Sequence, residues 1–170
     1  MPELSRRVQT FTDSVIRRMT RINNMTPGSI NLSQGFPDFD PPQEILDALK
    51  EAAEHGPHQY SITFGAKNFR DALAEMYTKK FAREIDPEKE IVVTCGGTEA
   101  MMAAMMTVCN PGDKVAVFSP FYENYGADAI LSGADPVYVP LVPPDFHYDS
   151  EALERAFQAG AKALILCNPS

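Results

Sequence analysis

Ile91-Val92-Val93-Thr94-Cys95-Gly96-Gly97-Thr98-Glu99-Ala100 is the stretch from which this chain is best read. A short β-branched run, two glycines and a hydroxyl residue opening a segment of good helix formers spell a strand, a tight turn and a helix N-terminus. Glycines let a ligand approach the backbone closely. Thr98 can cap the helix and also donate its hydroxyl, and the first-turn N–H groups together with the helix dipole favour a phosphate. The same residues equally describe a capped helix with nothing bound, because neither GxGxxG nor the Walker pattern is present.

Downstream, strand and helix alternate. Strands are expected at 91–94, 114–118, 136–139 and 163–167, and helices at 99–109, 122–131 and 150–159. Turns at 110–113 and 131–134 separate the units. Apolar strands spaced by helices of this length define an α/β class: part of a doubly wound, mostly parallel sheet with helices on both faces. Four strands are few for that class, and none of the expected helices follows the last, so the expectation is a fragment of a larger domain. Upstream, 5–25 has helical spacing and 30–42 enters a Gly/Pro-rich loop. The segment 42–54 is an amphipathic helix, 58–65 is irregular and aromatic, and 69–81 is a second helix.

A chain of 170 residues with 44% hydrophobic content can bury a core. Net charge is −8, and Lys and Arg are scattered apart from Arg6-Arg7 and Arg17-Arg18, so no nucleic-acid partner is expected. The longest apolar runs, such as 163–167, fall far short of a membrane span, and Met1-Pro2-Glu3-Leu4 opens no signal peptide. The expected location is the cytoplasm, with no membrane partner. Cys95, Cys109 and Cys167 form no CxxC and are expected to pack as reduced thiols. His55 and His58 flank the helix-breaking Gly56-Pro57 without a third ligand, so no metal site is expected and both should face solvent.

Two further segments fall at strand ends. Ser119-Pro120-Phe121-Tyr122-Glu123-Asn124-Tyr125 follows the 114–118 strand, and its aromatics either plug the core or offer a flat face to a planar ring. Asn168-Pro169-Ser170 opens a loop after 163–167, where α/β proteins keep their chemistry.

In combination these segments resemble the class I/II pyridoxal-phosphate-dependent aminotransferases of fold type I. Residues 30–42 look like that family's N-terminal loop. Gln59-Tyr60 with Gly65 and Phe69-Arg70 looks like its Y…G…LR segment, 94–100 like its phosphate turn, 119–125 like its ring-stacking segment, and Asn168-Pro169-Ser170 like the opening of NPxNPTG. The resemblance implies that 1–42 is an N-terminal helix and substrate-side loop, and 43–170 an incomplete cofactor-binding large domain. The cofactor it implies is pyridoxal 5'-phosphate, with amino acid and 2-oxo acid substrates and a homodimer whose site lies at the interface.

Residue by residue, the resemblance maps the phosphate onto Gly96, Gly97 and Thr98, and the stacking ring onto Tyr122. A phosphate contact offered to the neighbouring subunit maps onto Tyr60. Gly35 maps to the substrate carboxylate, with Phe36 and Phe39 near the substrate side chain. No catalytic residue is assigned in this chain, because the family's Schiff-base lysine lies beyond Ser170; Lys67, Lys79, Lys80, Lys114 and Lys162 stand away from the expected site. The asparagine for the ring hydroxyl would also follow Ser170, and Asn168 does not inherit its role. The resulting expectation is the N-terminal part of an aminotransferase, inactive alone. A C–S β-elimination enzyme and a non-catalytic binding or dimerisation module on the same fold remain as alternatives, which product analysis and cofactor absorbance would separate.

Overall fold

The computed structural model describes residues 3–168. A 3-10 turn at Arg6–Gln9 is followed by α1 (Val15–Asn24), α2 (Gln43–His55), α3 (Lys67–Phe81), α4 (Gly96–Val108), β1 (Lys114–Ser119), α5 (Asn124–Ser132), β2 (Asp135–Val142), β3 (His147–Tyr148), α6 (Ser150–Gln158) and β4 (Ala161–Ile165). The chain makes two compact units. One runs from the N-terminal stretch to Gln34 and resumes at Cys95; the other is Gly35–Thr94.

In the first unit the sheet order is β3-β2-β1-β4. β1 lies parallel to both β2 and β4, while β3 joins β2 antiparallel through Leu141 opposite Tyr148. Alternation along β1 sends Val115 and Val117 to one face, where they pack with Met105, Ala129 and Ile165. Ala116 goes to the other face and packs with Val139 and Ala156. The first cluster brings in α4 and α5, the second α6, so helices cover both faces as a doubly wound sheet requires. The wound, mostly parallel α/β architecture expected from the sequence is present, with β1 paired on both edges.

Local chemistry sets the boundaries. The expected single helix over 5–25 breaks into the 3-10 turn and α1. Thr10 donates its hydroxyl to Arg7 O at 2.7 Å, and Ser14 Oγ accepts the Arg17 N–H at 3.1 Å, so side chains replace helical bonds across the gap. Asp149 caps α6 by accepting the Glu151 N–H at 2.9 Å, and Gly133 at φ 91° ends α5.

The expected strand 91–94 does not form. A ladder needs a neighbouring strand, and the Gly35–Thr94 unit holds none among the described residues. Val93 instead gives its N–H to Phe64 O at 3.0 Å, a single bond to a loop. Within this second unit the organising side chain is Arg70, fully buried on α3. Its guanidinium donates to Gly65 O at 3.1 Å, Pro87 O at 2.5 Å and Glu88 Oε1 at 3.1 Å. Gly65 has φ +105°, and a Cβ there would come within 2.5 Å of Val93 Cγ2, so only glycine fits.

Candidate functional site

The turn before α4 is open. Gly96 takes φ +83°, and a Cβ built at either Gly96 or Gly97 meets nothing within 4 Å. α4 begins at Gly96 with Cys95 as its N-cap residue, which contributes no side-chain cap. The expected capping by Thr98 is therefore corrected, since Thr98 is already the third helical residue. Glu99 reaches back instead, and its carboxylate accepts the Cys95 N–H. Cys95 is exposed, against the packing role expected for it; Cys109 is buried, and burial pushes its thiol pKa up. An exposed N-cap position simply has no layer to pack on. As in any α-helix, the N–H groups of the first turn have no partner within the helix.

The loop after β1 comes to the same place. Asn124 Nδ2 donates to Thr98 Oγ1 at 3.1 Å, joining the start of α5 to the first turn of α4. The aromatics of this loop divide between the two expected readings. Phe121 is the plug, stacked on Tyr138 with ring centroids 5.1 Å apart and planes within 3°. Tyr122 remains 48% exposed and meets Tyr125 edge-on at 5.7 Å. Tyr125 hydrogen-bonds Cys167, and that bond, followed by burial, holds its hydroxyl pKa above the usual phenol range. Cys167 thus brings the end of the β4 segment alongside the loop.

Glu123, between the two site-facing residues, points elsewhere. Its carboxylate accepts the Ser14 hydroxyl, and also the Val15 N–H at 3.1 Å, at the first turn of α1. At the fifth residue of α5 lies an unexpected group: Asp128 is 5% exposed, its Oδ2 finds no hydrogen-bond partner, and burial raises its pKa.

Of the residues named from sequence, Gly96, Gly97, Thr98 and Tyr122 therefore belong to one unit, and Asn124 ties two of their elements together. Gly35, Phe36 and Tyr60 belong to the Gly35–Thr94 unit. Phe36 is exposed, Tyr60 is completely so, and a Cβ at Gly35 would meet nothing within 4 Å. Asn168 is exposed, while Pro169 and Ser170 lie outside the described residues. The His55 and His58 rings donate to local carbonyls, Glu51 O and Ala53 O, and no metal-ligand cluster occurs among the described residues. No helix among the described residues is long and apolar enough to cross a membrane. Sequence reading missed Asn124 and Glu123. The only available signal was their place, directly after the aromatic pair at a strand end.

An open glycine turn at a helix N-terminus with a half-exposed tyrosine beside it, on a wound α/β sheet, is an arrangement able to hold a phosphate and a planar ring. The model of the family described as aminotransferase class I and II matches residues 27–170. A probable N-succinyldiaminopimelate aminotransferase of Mycobacterium tuberculosis is 37% identical over 165 residues, covering 96% of this chain and 41% of that protein. Kynurenine–oxoglutarate transaminase 3 of Mus musculus is 32% identical over 176 residues, covering 97% of this chain and 38% of the relative. The crystal structure of an Escherichia coli protein with methionine aminotransferase function superposes with a TM-score of 0.89 at 30% identity, over 99% of this chain and 45% of that one. The chain belongs to the class I and II aminotransferase family, and it spans about two fifths of the length of these curated relatives.

Members of that family use pyridoxal phosphate. The residues here fit such a group. A Cβ at Gly96 or Gly97 would meet nothing within 4 Å, and the Thr98 hydroxyl stands at the same turn. Tyr122 keeps about half its surface available for a ring.

Proposed function

We propose that the protein moves an amino group between an amino acid and a 2-oxo acid with pyridoxal phosphate. In this reading the Gly96 and Gly97 backbone and the Thr98 hydroxyl hold the phosphate, and Tyr122 lies on the pyridine face. When bound, the cofactor supplies the electron sink for the reaction. This chain's residues do the rest of what concerns them here: the α4 N-terminus neutralises the phosphate charge, and the tyrosine face orients the ring and excludes water from it. Gly35 and Phe36 serve the substrate side. Tyr60 serves the phosphate of a second subunit in a homodimer, a role supported by a side chain wholly exposed on its own chain.

The observation that carries this reading is the 3.1 Å bond from Asn124 to Thr98, which fastens the aromatic loop to the glycine turn. Substituting Gly97→Phe tests it. The Cβ site is open, so the fold is retained, yet the phenyl group occupies the anion position. Affinity for pyridoxamine 5'-phosphate, measured by calorimetry, is expected to fall by more than about tenfold, equivalent to losing roughly one charge-assisted hydrogen bond. Unchanged affinity would remove the anion site from this turn.

A further inference from the structure

We propose that Asn124 is a positioning residue that sets the direction of the Thr98 hydroxyl proton and makes Thr98 a dedicated donor to the phosphate. The proposal rests on the cofactor reading above.

A threonine hydroxyl has one proton and two lone pairs. In a helix it commonly spends the proton on the carbonyl four residues back, as Thr107 does in the same α4, donating to Ala103 O at 2.7 Å. Thr98 is the third residue of α4, so the residue four positions back, Thr94, precedes the helix. Among the described residues its hydroxyl receives a bond, from Asn124 Nδ2 at 3.1 Å, and makes none with its own proton. An amide N–H directed at the oxygen occupies a lone pair and leaves the O–H to point away from the amide. The uncommitted proton then serves an oxygen acceptor at the glycine turn.

Asn124 can hold that direction because the residue before it is anchored. Glu123 accepts from the Ser14 hydroxyl and the Val15 N–H, so the loop that delivers Asn124 is fastened to the start of α1. Adjacent residues thus face opposite ways, one fixing the loop and the other orienting the hydroxyl.

The experiment is a double-mutant cycle on the chain, with affinity for pyridoxamine 5'-phosphate and for inorganic phosphate as readouts and thermal unfolding as the check on folding. Asn124→Ala and Thr98→Val are each expected to weaken binding of both probes by about three- to tenfold, the range of one hydrogen bond. The double variant is expected to bind no more weakly than Thr98→Val alone, because the asparagine acts only through the hydroxyl. Asn124→Asp keeps the shape, turns the donor into an acceptor that draws the Thr98 proton, and is expected to bind at least as weakly as Asn124→Ala.

Losses that multiply in the double variant, or an Asn124→Asp chain that binds as the unaltered one does, overturn the proposal. If Thr98→Val and Gly97→Phe weaken binding while Asn124→Ala does not, the inference fails and the cofactor reading stands. If neither Gly97→Phe nor Thr98→Val alters binding, or the unaltered chain binds neither probe, the cofactor reading fails and takes the inference with it.

Discussion

β1 and α2 carry equally regular apolar patterns and end in opposite states. Val115 and Val117 on β1 are 0% and 1% exposed, whereas Ile45 and Leu49 on α2 are 60% and 66% exposed and no residue of α2 is buried. Around β1, the elements immediately before and after it in the chain, α4 and α5, cover one face, and α6, further along the same unit, covers the other. α2 has a face with the same periodicity and no such layer in its own unit. Amphipathic spacing therefore specifies an element and the side it must bury, and says nothing of what buries it.

The sharpest way to break this contrast is a pair of charge insertions. Val117→Asp places a carboxylate among Met105, Ala129 and Ile165, and is expected to cost more than about 4 kcal/mol and abolish cooperative urea unfolding. Leu49→Asp is expected to change the midpoint by less than about 1 kcal/mol. A large loss from Leu49→Asp would mean that the α2 face is covered in solution.

The second test probes the interior that the Gly35–Thr94 unit does possess. Gly65→Ala combines a left-handed φ with a 2.5 Å approach to Val93 and is expected to cost about 2–3 kcal/mol in thermal unfolding. Adding Val93→Ala removes the Cγ2 contact but keeps the residue-93 Cβ at 2.6 Å as well as the backbone strain, so recovery should be partial. Full recovery would show that the φ angle costs nothing there.

The smallest effect concerns Asp128 in the sheet unit. Burial raises its folded-state pKa, so the folded chain holds the proton more tightly than the unfolded one. The stability this contributes is complete below the unfolded carboxyl pKa and is lost as pH rises through the folded value. Asp128→Asn is accordingly expected to stabilise the chain by about 1 kcal/mol at neutral pH, with the gain vanishing below about pH 4. A gain that persists in acid would assign the effect to packing.

Much of the sheet unit was legible because its signals are local. Gly133, the 110–113 turn and the apolar strands punctuate it in order, and β1, α5, α6 and β4 fall within a few residues of expectation. The glycine turn was legible for the same reason. What escaped depends on partners distant in sequence. Residues 91–94 have a strand's composition but no strand beside them, and β3 exists only because Leu141 and Val142 offer it an edge. Arg70 enters the sequence reading only as part of the Y…G…LR resemblance, and its burial shows only once Gly65 O and Pro87 O are seen converging on it. Asn124 reads as an ordinary helix start until Thr98, 26 residues earlier, is found beneath it.

The order β3-β2-β1-β4 also has a consequence for synthesis. β2 covers one edge of β1 soon after both are made, but the other edge waits for β4, whose Ala163, Leu164 and Ile165 pair with Val115, Ala116 and Val117. Until Ile165 has emerged from the ribosome, Val-Ala-Val-Phe stands as an open, flat, uncharged edge, the kind that recruits other nascent chains. The strand between β2 and β4 is thus an aggregation hazard for as long as it takes to translate the next 46 or so residues.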